Sequence, residues 1–443
     1  MPATPLLNNL ANAFRSGDAS SEIIIDRLTQ LLGRRWRFLT RLVERYRLTF
    51  ANRPRPRRRE VVRFLLHDRV FRLAWRKRIR RMHAGDWLID PAPMQPVAAA
   101  AAWRLPRIET AGELAAWLEV TPNELDWFAD LKALTGKAAS PRLSHYHYRI
   151  FIKRSGGLRL VEAPKRRLKQ MQRSILSGIL EKIPPHPAAH GFVKGRSIHS
   201  FIAPHVKQRA VLRMDVSDFF PSVTAARIQG FFRAAGYPET VADLLGGLCT
   251  NAAPKRVWRD VTPGVDRVEI QQARILYARR HLPQGAPTSP ALSNICAYRL
   301  DCRLAGLARA TGANYSRYAD DLAFSGGREF ERSVERFSTH VAAILKEEGF
   351  AAHHRKTRIM RPGVRQHLAG ITLNERPNVT RKDFDLLKAT LTNCVRFGPS
   401  TQNRDGRAHF RLHLEGRVAY AESVNPAKGA KLRGLAGRID WNR

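Results

Sequence analysis

The chain has 443 residues, enough to bury a large core and to form two or three subdomains. Its 77 Lys and Arg residues against 38 Asp and Glu residues give a formal charge of +39, which indicates a polyanionic partner, either nucleic acid or an anionic membrane surface. The sequence has no apolar run of about eighteen residues and no basic segment leading into an apolar core at its start, which argues against membrane insertion and secretion. Four scattered cysteines without a Cys-x-x-Cys pair are typical of reduced thiols in a cytoplasmic protein.

Residues 1–104 are predicted to form a basic helical extension that ends in a Pro- and Ala-rich linker over residues 91–102. Between Arg34 and His83 there are nineteen Arg or Lys residues and three acids, and the Pro-containing run 53–59 divides this stretch into two helical pieces. One hypothesis is that these helices neutralise phosphates and offer some arginine or aromatic faces for stacking; the alternative is a solubilising extension that folds on the rest of the chain or is partly disordered. The aromatic residues in question are Trp36, Phe38, Tyr46, Phe64, Phe71 and Trp75.

The next stretch predicts short helices and then a strand pair. Capping boxes that start at Thr110 and Thr121 predict two helices. Tyr148–Ile152 and Leu158–Val161 predict two strands joined around Gly156-Gly157, and a basic helix follows Pro164.

Carboxylates recur at the ends of predicted strands farther along the chain. Alternating apolar and polar residues predict a strand over 211–216 that carries Asp215 on its polar face. Two apolar or aromatic runs flank Asp320 and Asp321 and predict a tight hairpin with both acids at its turn. Adjacent anions require a compensating cation, and Mg²⁺ prefers carboxylate oxygen. Three carboxylates on two strands are the minimum for a pair of divalent ions that serve in-line displacement at phosphorus.

The remaining elements are mostly helical. Helices are predicted from Thr224 to Gly236 and from Ser289 to Gly312, with a loop or hairpin over residues 251–272. An amphipathic helix over 330–348 should cover the back of the strands that carry the acids. A further helix from Thr380 to Gly398 precedes a basic and mostly helical remainder.

Three motifs in a fixed order now resemble a known family. They are Tyr318-Ala319-Asp320-Asp321, the Asp215 strand that ends in Phe219-Phe220, and the run Leu282–Pro290. Together they look like the palm motifs of reverse transcriptases, with the closest resemblance to bacterial retron enzymes. The resemblance implies an α+β right-hand polymerase fold, with helical lead, fingers and palm over residues 105–375 and a helical thumb over 376–443, preceded by the extension of residues 1–104.

The same resemblance implies roles for particular residues. Asp215, Asp320 and Asp321, with the backbone of Val216, would hold two Mg²⁺ ions and carry catalysis. Residues implied for nucleotide binding are Lys153, Arg159, Phe220, Gln284, Gly285 and Lys356. Residues implied for contact with template or duplex are Lys194, Arg196, Arg411, Arg417, Lys428, Lys431 and Arg433. Lys153 fits a generic RNA-facing basic patch almost as well, and Phe220 could instead be a core residue at a strand end.

A retron enzyme would be an RNA-directed DNA polymerase that uses deoxynucleotides to copy a dedicated noncoding RNA. The resemblance implies priming from an internal 2′-hydroxyl, a branched RNA–DNA product, a part in anti-phage defence and an effector or toxin protein as partner. A group II intron maturase is disfavoured because no Cys/His module follows the thumb, and an RNA-dependent RNA polymerase is disfavoured by Phe220. A non-enzymatic RNA-binding protein on a decayed palm is disfavoured by the three intact carboxylates.

Overall fold

The computed structural model describes residues 5–15, 20–51, 56–77, 93–137, 141–153, 157–259 and 265–441. The chain divides into two compact units. The first comprises Met1–Pro184 and Phe220–Leu292, and the second comprises Pro185–Phe219 and Ser293–Arg443. Part of the predicted proline break (residues 53–55), residues 78–83 of the basic stretch, Pro91 and Gly156 lie outside the described residues. No helix in the described ranges combines the length and the apolar character that crossing a bilayer requires.

The helices in chain order are α1 (Pro5–Arg15), α2 (Ser21–Leu32), α3 (Phe38–Thr49), α4 (Arg58–His67), α5 (Arg69–Lys77), α6 (Ala111–Trp117), α7 (Pro122–Ala129), α8 (Leu134–Lys137), α9 (Arg166–Gly178), α10 (Ile198–Ile202), α11 (Phe219–Ser222), α12 (Ala225–Ala234), α13 (Glu239–Leu248), α14 (Arg267–Ala278), α15 (Ser289–Cys296), α16 (Tyr298–Ala310), α17 (Arg328–Glu347), α18 (Arg381–Phe397), α19 (Phe410–Val424) and α20 (Pro426–Ala436). The strands are β1 (Tyr146–Ile152), β2 (Leu158–Pro164), β3 (Ala210–Asp215), β4 (Asn314–Tyr318), β5 (Asp321–Gly326), β6 (Arg358–Met360), β7 (His367–Leu368) and β8 (Ile371–Thr372).

Helices α1 to α5, in the first unit, enclose a hydrophobic core of their own. Each helix contributes to it, as Leu10, Leu28, Leu42, Leu65 and Phe71 show. The prediction that aromatic faces are available for stacking is wrong for Tyr46, Phe71 and Trp75, which are at most 7% exposed in this core. For Trp36, Phe38 and Phe64, which pack against the same core but are half-buried, it stays a prediction. Aromatic rings bury the largest area per residue, so a small helical core gains most by enclosing them.

The segment predicted as a linker is tied to the end of α12 over its described part. The backbone N–H of Gln95 donates to the carbonyl of Gly236 at 3.0 Å, and that of Val97 donates to Ala234 at 3.0 Å. The ring of Trp103 lies 6.2 Å from that of Phe231. Hydrogen bonds and ring packing therefore hold residues 95–103 against the first unit.

Several helix starts in the first unit follow their sequence signals. Thr121 and Glu124 form the complete capping box predicted for α7. Thr110 accepts the N–H of Glu113, but the carboxylate of Glu113 accepts the N–H of Glu109 instead of closing the box. The loop or hairpin predicted over 251–272 is partly wrong, because the side chain of Asp266 caps the start of α14.

The hairpin predicted in the first unit is confirmed, with β1 and β2 antiparallel and Tyr146 opposite Pro164. Leu158 and Leu160 on β2 pack with Trp258 and Tyr277 in a small apolar cluster. Burial alternates along β2, so its exposed face carries Arg159.

The second unit is built on a four-stranded antiparallel sheet in the order β4-β5-β3-β6. Helix α17 packs on this sheet, with the ring of Phe337 5.0 Å from that of Phe324 on β5, as predicted. The predicted helix from Ser289 to Gly312 is interrupted at Ala297 and forms α15 and α16. Helix α18 begins after Thr380, whose side chain accepts the N–H of Asp383, and packs with α19 and α20.

Candidate active site

Three carboxylates meet at one end of the sheet in the second unit. Strands β4 and β5 form the predicted hairpin, and Ala319 in its turn has a positive φ of 58°. Asp215, the last residue of β3, lies directly opposite Asp321 on β5. Residues opposite one another in an antiparallel pair have Cβ atoms about 4.5–5.5 Å apart. The N–H of Val216 also donates to the carbonyl of Asp320 at 2.9 Å, so the predicted convergence of the three acids is confirmed.

The electrostatics of this corner disfavour three bare charges. Burial raises the pKa of Asp320, and the neighbouring charges of Asp215 and Asp321 raise it further. Burial also raises the pKa of Asp321, against the opposing effect of Arg213. Crowded carboxylates with raised pKa values are typical of sites that await a cation.

Two basic side chains pair with these acids. Lys356 Nζ lies 3.0 Å from each carboxylate oxygen of Asp215. The Nε and Nη2 atoms of Arg213 lie 3.0 Å and 2.9 Å from Oδ1 of Asp321. The predicted nucleotide-binding residue Lys356 is thus brought to the carboxylates, while Arg213 was not anticipated.

The donor set fits Mg²⁺, which takes carboxylate and carbonyl oxygen. Val216 and Ala352 face each other in an isolated antiparallel β-bridge. The two hydrogen bonds of this bridge are accepted by the carbonyls of Asp215 and Ala351, and neither is accepted by the Val216 carbonyl. The carboxylates of Asp215 and Asp321 are turned toward Lys356 and Arg213. Among the described residues, no three Asp, Glu, His or Cys side chains are therefore already placed to bind one metal ion together. An ion that binds here would therefore compete with these two basic groups.

A fully buried arginine lies next to the turn that carries Asp320. Arg317 on β4 forms a bidentate ion pair with Asp301 on α16, at 2.7 Å and 2.6 Å, and both side chains are 0% exposed. Its Nη1 atom also donates to Asn294 Oδ1 at 2.9 Å and to the Ala319 carbonyl at 3.1 Å. Arg317 thereby links α15, α16 and the turn that carries Asp320. The signal available in the sequence was an arginine within one of the two apolar or aromatic runs that flank Asp320 and Asp321.

Gly191 and His205 also contact the β4–β5 hairpin. A Cβ atom on Gly191 would lie 2.5 Å from the Ala319 nitrogen, so a larger residue would displace the turn. The two ring nitrogens of His205 each lie 2.7 Å from a serine hydroxyl, one on Ser316 of β4 and one on Ser325 of β5. Burial lowers the pKa of His205 to about 3, so the ring is neutral and joins the two strands as a hydrogen-bonding group.

Comparison with known proteins agrees with this geometry. The family model described as reverse transcriptase (RNA-dependent DNA polymerase) matches residues 152–388. Retron Mx65 reverse transcriptase of Myxococcus xanthus is 39% identical over 373 residues, which are 82% of this chain and 78% of the relative. This chain belongs to the bacterial retron-type reverse transcriptases. Two other relatives are the Retron Mx162 enzyme of Myxococcus xanthus, 34% identical over 73% of this chain and 66% of its own, and the Retron Ec86 enzyme of Escherichia coli, 29% identical over 65% and 79%.

Membership makes this reverse transcriptase an RNA-directed DNA polymerase and implies the right-hand polymerase fold. The mixed helices and small antiparallel sheets agree with that fold at this level.

The predicted nucleotide-binding residues other than Lys356 lie in the first unit. Lys153 and Arg159 are on the β1–β2 hairpin, where Lys153 is half-buried and Arg159 is exposed. Phe220 is half-buried, whereas its neighbour Phe219 is 3% exposed. Gln284 and Gly285 lie beside β2 in space, since the N–H of Glu162 donates to the Gln284 carbonyl at 2.8 Å. Their roles in nucleotide binding stay predictions.

A buried ion pair supports the Gln284–Gly285 loop. The ring nitrogens of His281 face the Glu162 carboxylate at 2.7 Å and the Arg279 carbonyl at 2.6 Å, so both nitrogens donate. Burial opposes the charged ring, but the charge of Glu162 and the hydrogen bonds outweigh it and raise the pKa of His281. Gly285 has φ 130°, and a Cβ atom there would lie 2.9 Å from the Glu162 carbonyl. This support was not predicted.

The predicted nucleic-acid-binding residues lie in the second unit and differ in their contacts. Lys194 and Lys431 are exposed. Arg196 donates to the carbonyls of His186 and Pro187 at 3.0 Å and 2.8 Å, which fixes its loop. Arg411 on α19 and Arg433 on α20 pair with Glu415 and Glu422, Lys428 lies 5.0 Å from the Phe384 ring centre, and Arg417 is half-buried. That these residues contact nucleic acid stays a prediction.

Proposed function

We propose that this reverse transcriptase copies a structured noncoding RNA into single-stranded DNA at the carboxylates of Asp215, Asp320 and Asp321. The observation that carries the proposal is the register of β3 and β5, which sets Asp215 opposite Asp321 and bonds Val216 to Asp320. The three carboxylates and the Val216 carbonyl would hold two Mg²⁺ ions. When bound, such a pair supplies Lewis-acid stabilisation of the attacking and leaving oxygens of phosphoryl transfer.

Lys356 is suited to act on the leaving group. Its ammonium lies 3.0 Å from both oxygens of Asp215 and is more than a third exposed, so it is held at the carboxylates and open to substrate. It can donate a proton, or a charged hydrogen bond, to the departing pyrophosphate.

The remaining pocket and its subdomains follow the same proposal. Lys153 and Arg159 supply positive charge for the triphosphate, and Gln284 and Gly285 line the nucleotide pocket. Phe220 selects deoxynucleotides because an aromatic ring beneath the sugar would clash with a 2′-hydroxyl. Fingers and palm lie within residues 105–375 and the thumb within 376–443.

The cations of the second unit would grip template and product by phosphate and shape contacts. This role falls to Lys194, Arg196, Arg411, Arg417, Lys428, Lys431 and Arg433. We further propose a cytoplasmic enzyme that primes from an internal 2′-hydroxyl, makes a branched RNA–DNA product and serves anti-phage defence with an effector or toxin protein. Support for these roles is membership in the retron-type family.

The test is to purify the full chain from cells that carry its native locus and to sequence the nucleic acid that remains bound. We expect one structured RNA joined to DNA complementary to part of it. Supply of ribo- or deoxynucleotides to the purified complex should extend the product only with deoxynucleotides. A mixed RNA population without attached DNA, or equal use of ribonucleotides, would contradict the proposal.

A further inference from the structure

The solvent-facing side of α4 and α5 is formed by arginine. We define the arginine surface as six exposed residues of these helices: Arg58, Arg59, Arg63, Arg69, Arg72 and Arg76. On α5 the spacing of i, i+3 and i+7 places Arg69, Arg72 and Arg76 along one side, a stripe about 10 Å long.

The two acids nearest to this surface in sequence, Glu60 and Asp68, already have partners within the helical region. Glu60 accepts the N–H of Arg57 at 2.8 Å, and Asp68, 6% exposed, is paired with Arg45 at 2.7 Å. Within the described residues no carboxylate forms an ion pair with Arg69, Arg72 or Arg76. Like charges three and four residues apart on a helix repel each other, so the surface lowers the stability of α5 and calls for a polyanionic partner.

The chemistry of the surface selects among polyanions. Single-stranded nucleic acids are usually bound on exposed aromatic platforms, and here the aromatic residues of α3 to α5 are buried or half-buried. Apart from His67 and Leu73, the described exposed side chains of α4 and α5 are guanidinium groups, which pair with phosphate oxygens in a bidentate manner and read no base from a helix surface alone. Duplex phosphates suit this surface better than unpaired bases do.

The surface is also anchored within the first unit. Arg15 pairs with Glu239 on α13, and the N–H of Arg58 donates to the same carboxylate at 3.2 Å. Arg57 Nη2 donates to Gln229 on α12 at 2.7 Å. A ligand on α4 and α5 is thereby held by the unit that carries the β1–β2 hairpin.

We propose that the arginine surface binds a double-stranded stem of the RNA that the enzyme copies, through phosphates and without regard to sequence. This rests on the proposed function only in naming the RNA as the enzyme's own template. The surface anchors the RNA independently of the carboxylates that perform polymerisation.

The test compares two triple variants of the full chain with equal loss of charge. The first carries Arg69→Gln, Arg72→Gln and Arg76→Gln. The control carries Arg328→Gln, Arg332→Gln and Arg336→Gln, exposed arginines of α17 that alternate with Glu329, Glu331 and Glu335. Binding is measured to an RNA duplex of random sequence of about 16 base pairs, the length that double-stranded-RNA modules span. A DNA duplex of the same sequence and anionic phospholipid vesicles are the comparison probes.

Loss of three phosphate contacts should reduce the slope of log affinity against log salt by about 2.7, so affinity falls about 40-fold less between 50 and 200 mM salt than in the wild type. The control variant should keep the wild-type slope. Both variants should extend a DNA primer on a homopolymer RNA template, which separates this result from failure of the polymerase itself.

Equal slopes for the wild type and the α5 variant would overturn the proposal, as would an equal change in the control. Loss of DNA-duplex or vesicle binding with RNA binding intact would also overturn it and assign the surface to that partner. Circular dichroism melting of both variants shows whether a change in binding is accompanied by unfolding.

Discussion

The β4–β5 hairpin and the N-terminal helices use arginine in opposite ways. Arg317 is fully buried and spends its donors on Asp301, Asn294 and the turn carbonyl of Ala319. Arg69, Arg72 and Arg76 on α5 face solvent. Burying a guanidinium costs so much solvation that it requires complete pairing, whereas an exposed one keeps its water and is available to a partner. Position relative to the core therefore decides whether an arginine fixes the fold or recognises a ligand.

The buried side of this comparison should give the largest effect. Arg317→Met leaves Asp301 as an uncompensated buried charge, which should lower the free energy of unfolding by about 3–5 kcal/mol. Urea unfolding followed by circular dichroism measures this loss. Adding Asp301→Leu to Arg317→Met should recover part of it, because the stranded charge is then removed.

If Arg317→Met lowers the free energy of unfolding by less than about 1 kcal/mol, Arg317 contributes no more to stability than an exposed arginine does, and the proposed difference between buried and exposed arginines is contradicted. If the double variant is as unstable as the single variant, the loss of stability comes from the packing of the long Arg317 side chain and not from the stranded charge of Asp301.

The Glu162–His281 pair tests the buried side by pH. Because the pKa of His281 is raised in the folded state, its contribution to stability is fully present below the ordinary pKa of about 6.5 and is lost as pH rises through the raised value. Asn251 and Tyr148 also lie next to this pair. The side-chain amide of Asn251 donates to the Glu162 carboxylate and to the Tyr148 hydroxyl. Replacement Glu162→Gln should therefore destabilise the protein most at pH 6 and less at pH 9.

Urea midpoints at the two pH values measure this difference, with Glu335→Gln, an exposed acid on α17, as the matched substitution. A loss of stability that grows with pH would contradict a charged His281.

The exposed side should give the smallest effect on stability. Arg72→Gln removes no described ion pair and relieves repulsion along α5, so the free energy of unfolding should change by no more than about 0.5 kcal/mol. Thermal melting checks this expectation. A loss above about 1 kcal/mol would show that Arg72 supports the helical core and would weaken its assignment to a ligand.

Elements encoded by contiguous residues could be predicted from the sequence. The β4–β5 hairpin, the β1–β2 hairpin and α17 depend on local spacing, and each is found close to its predicted place. The convergence of Asp215 with the hairpin was expected from the family resemblance, which assigned the three acids to one metal site, while alternation along β3 indicated only which face carries Asp215.

Features that depend on distant pairs could not be predicted. Glu162 and His281 are 119 positions apart, and neither has a local signal that identifies its partner. Three aromatic residues of the N-terminal helices were misassigned for a related reason. Tyr46 and Trp75 lie among arginines in sequence, and only the packing of five helices shows that their rings face one core.

The most direct measurement for the central claim is primer extension on an RNA template by Asp320→Asn, with Mg²⁺ and deoxynucleotides. The substitution removes one charge from the crowded corner, so we predict that incorporation is abolished while the melting temperature stays equal or rises. Asp385→Asn, an exposed acid on α18, is the matched control and should extend like the wild type. Deoxynucleotide incorporation retained by a folded Asp320→Asn variant would contradict the assignment of the three carboxylates.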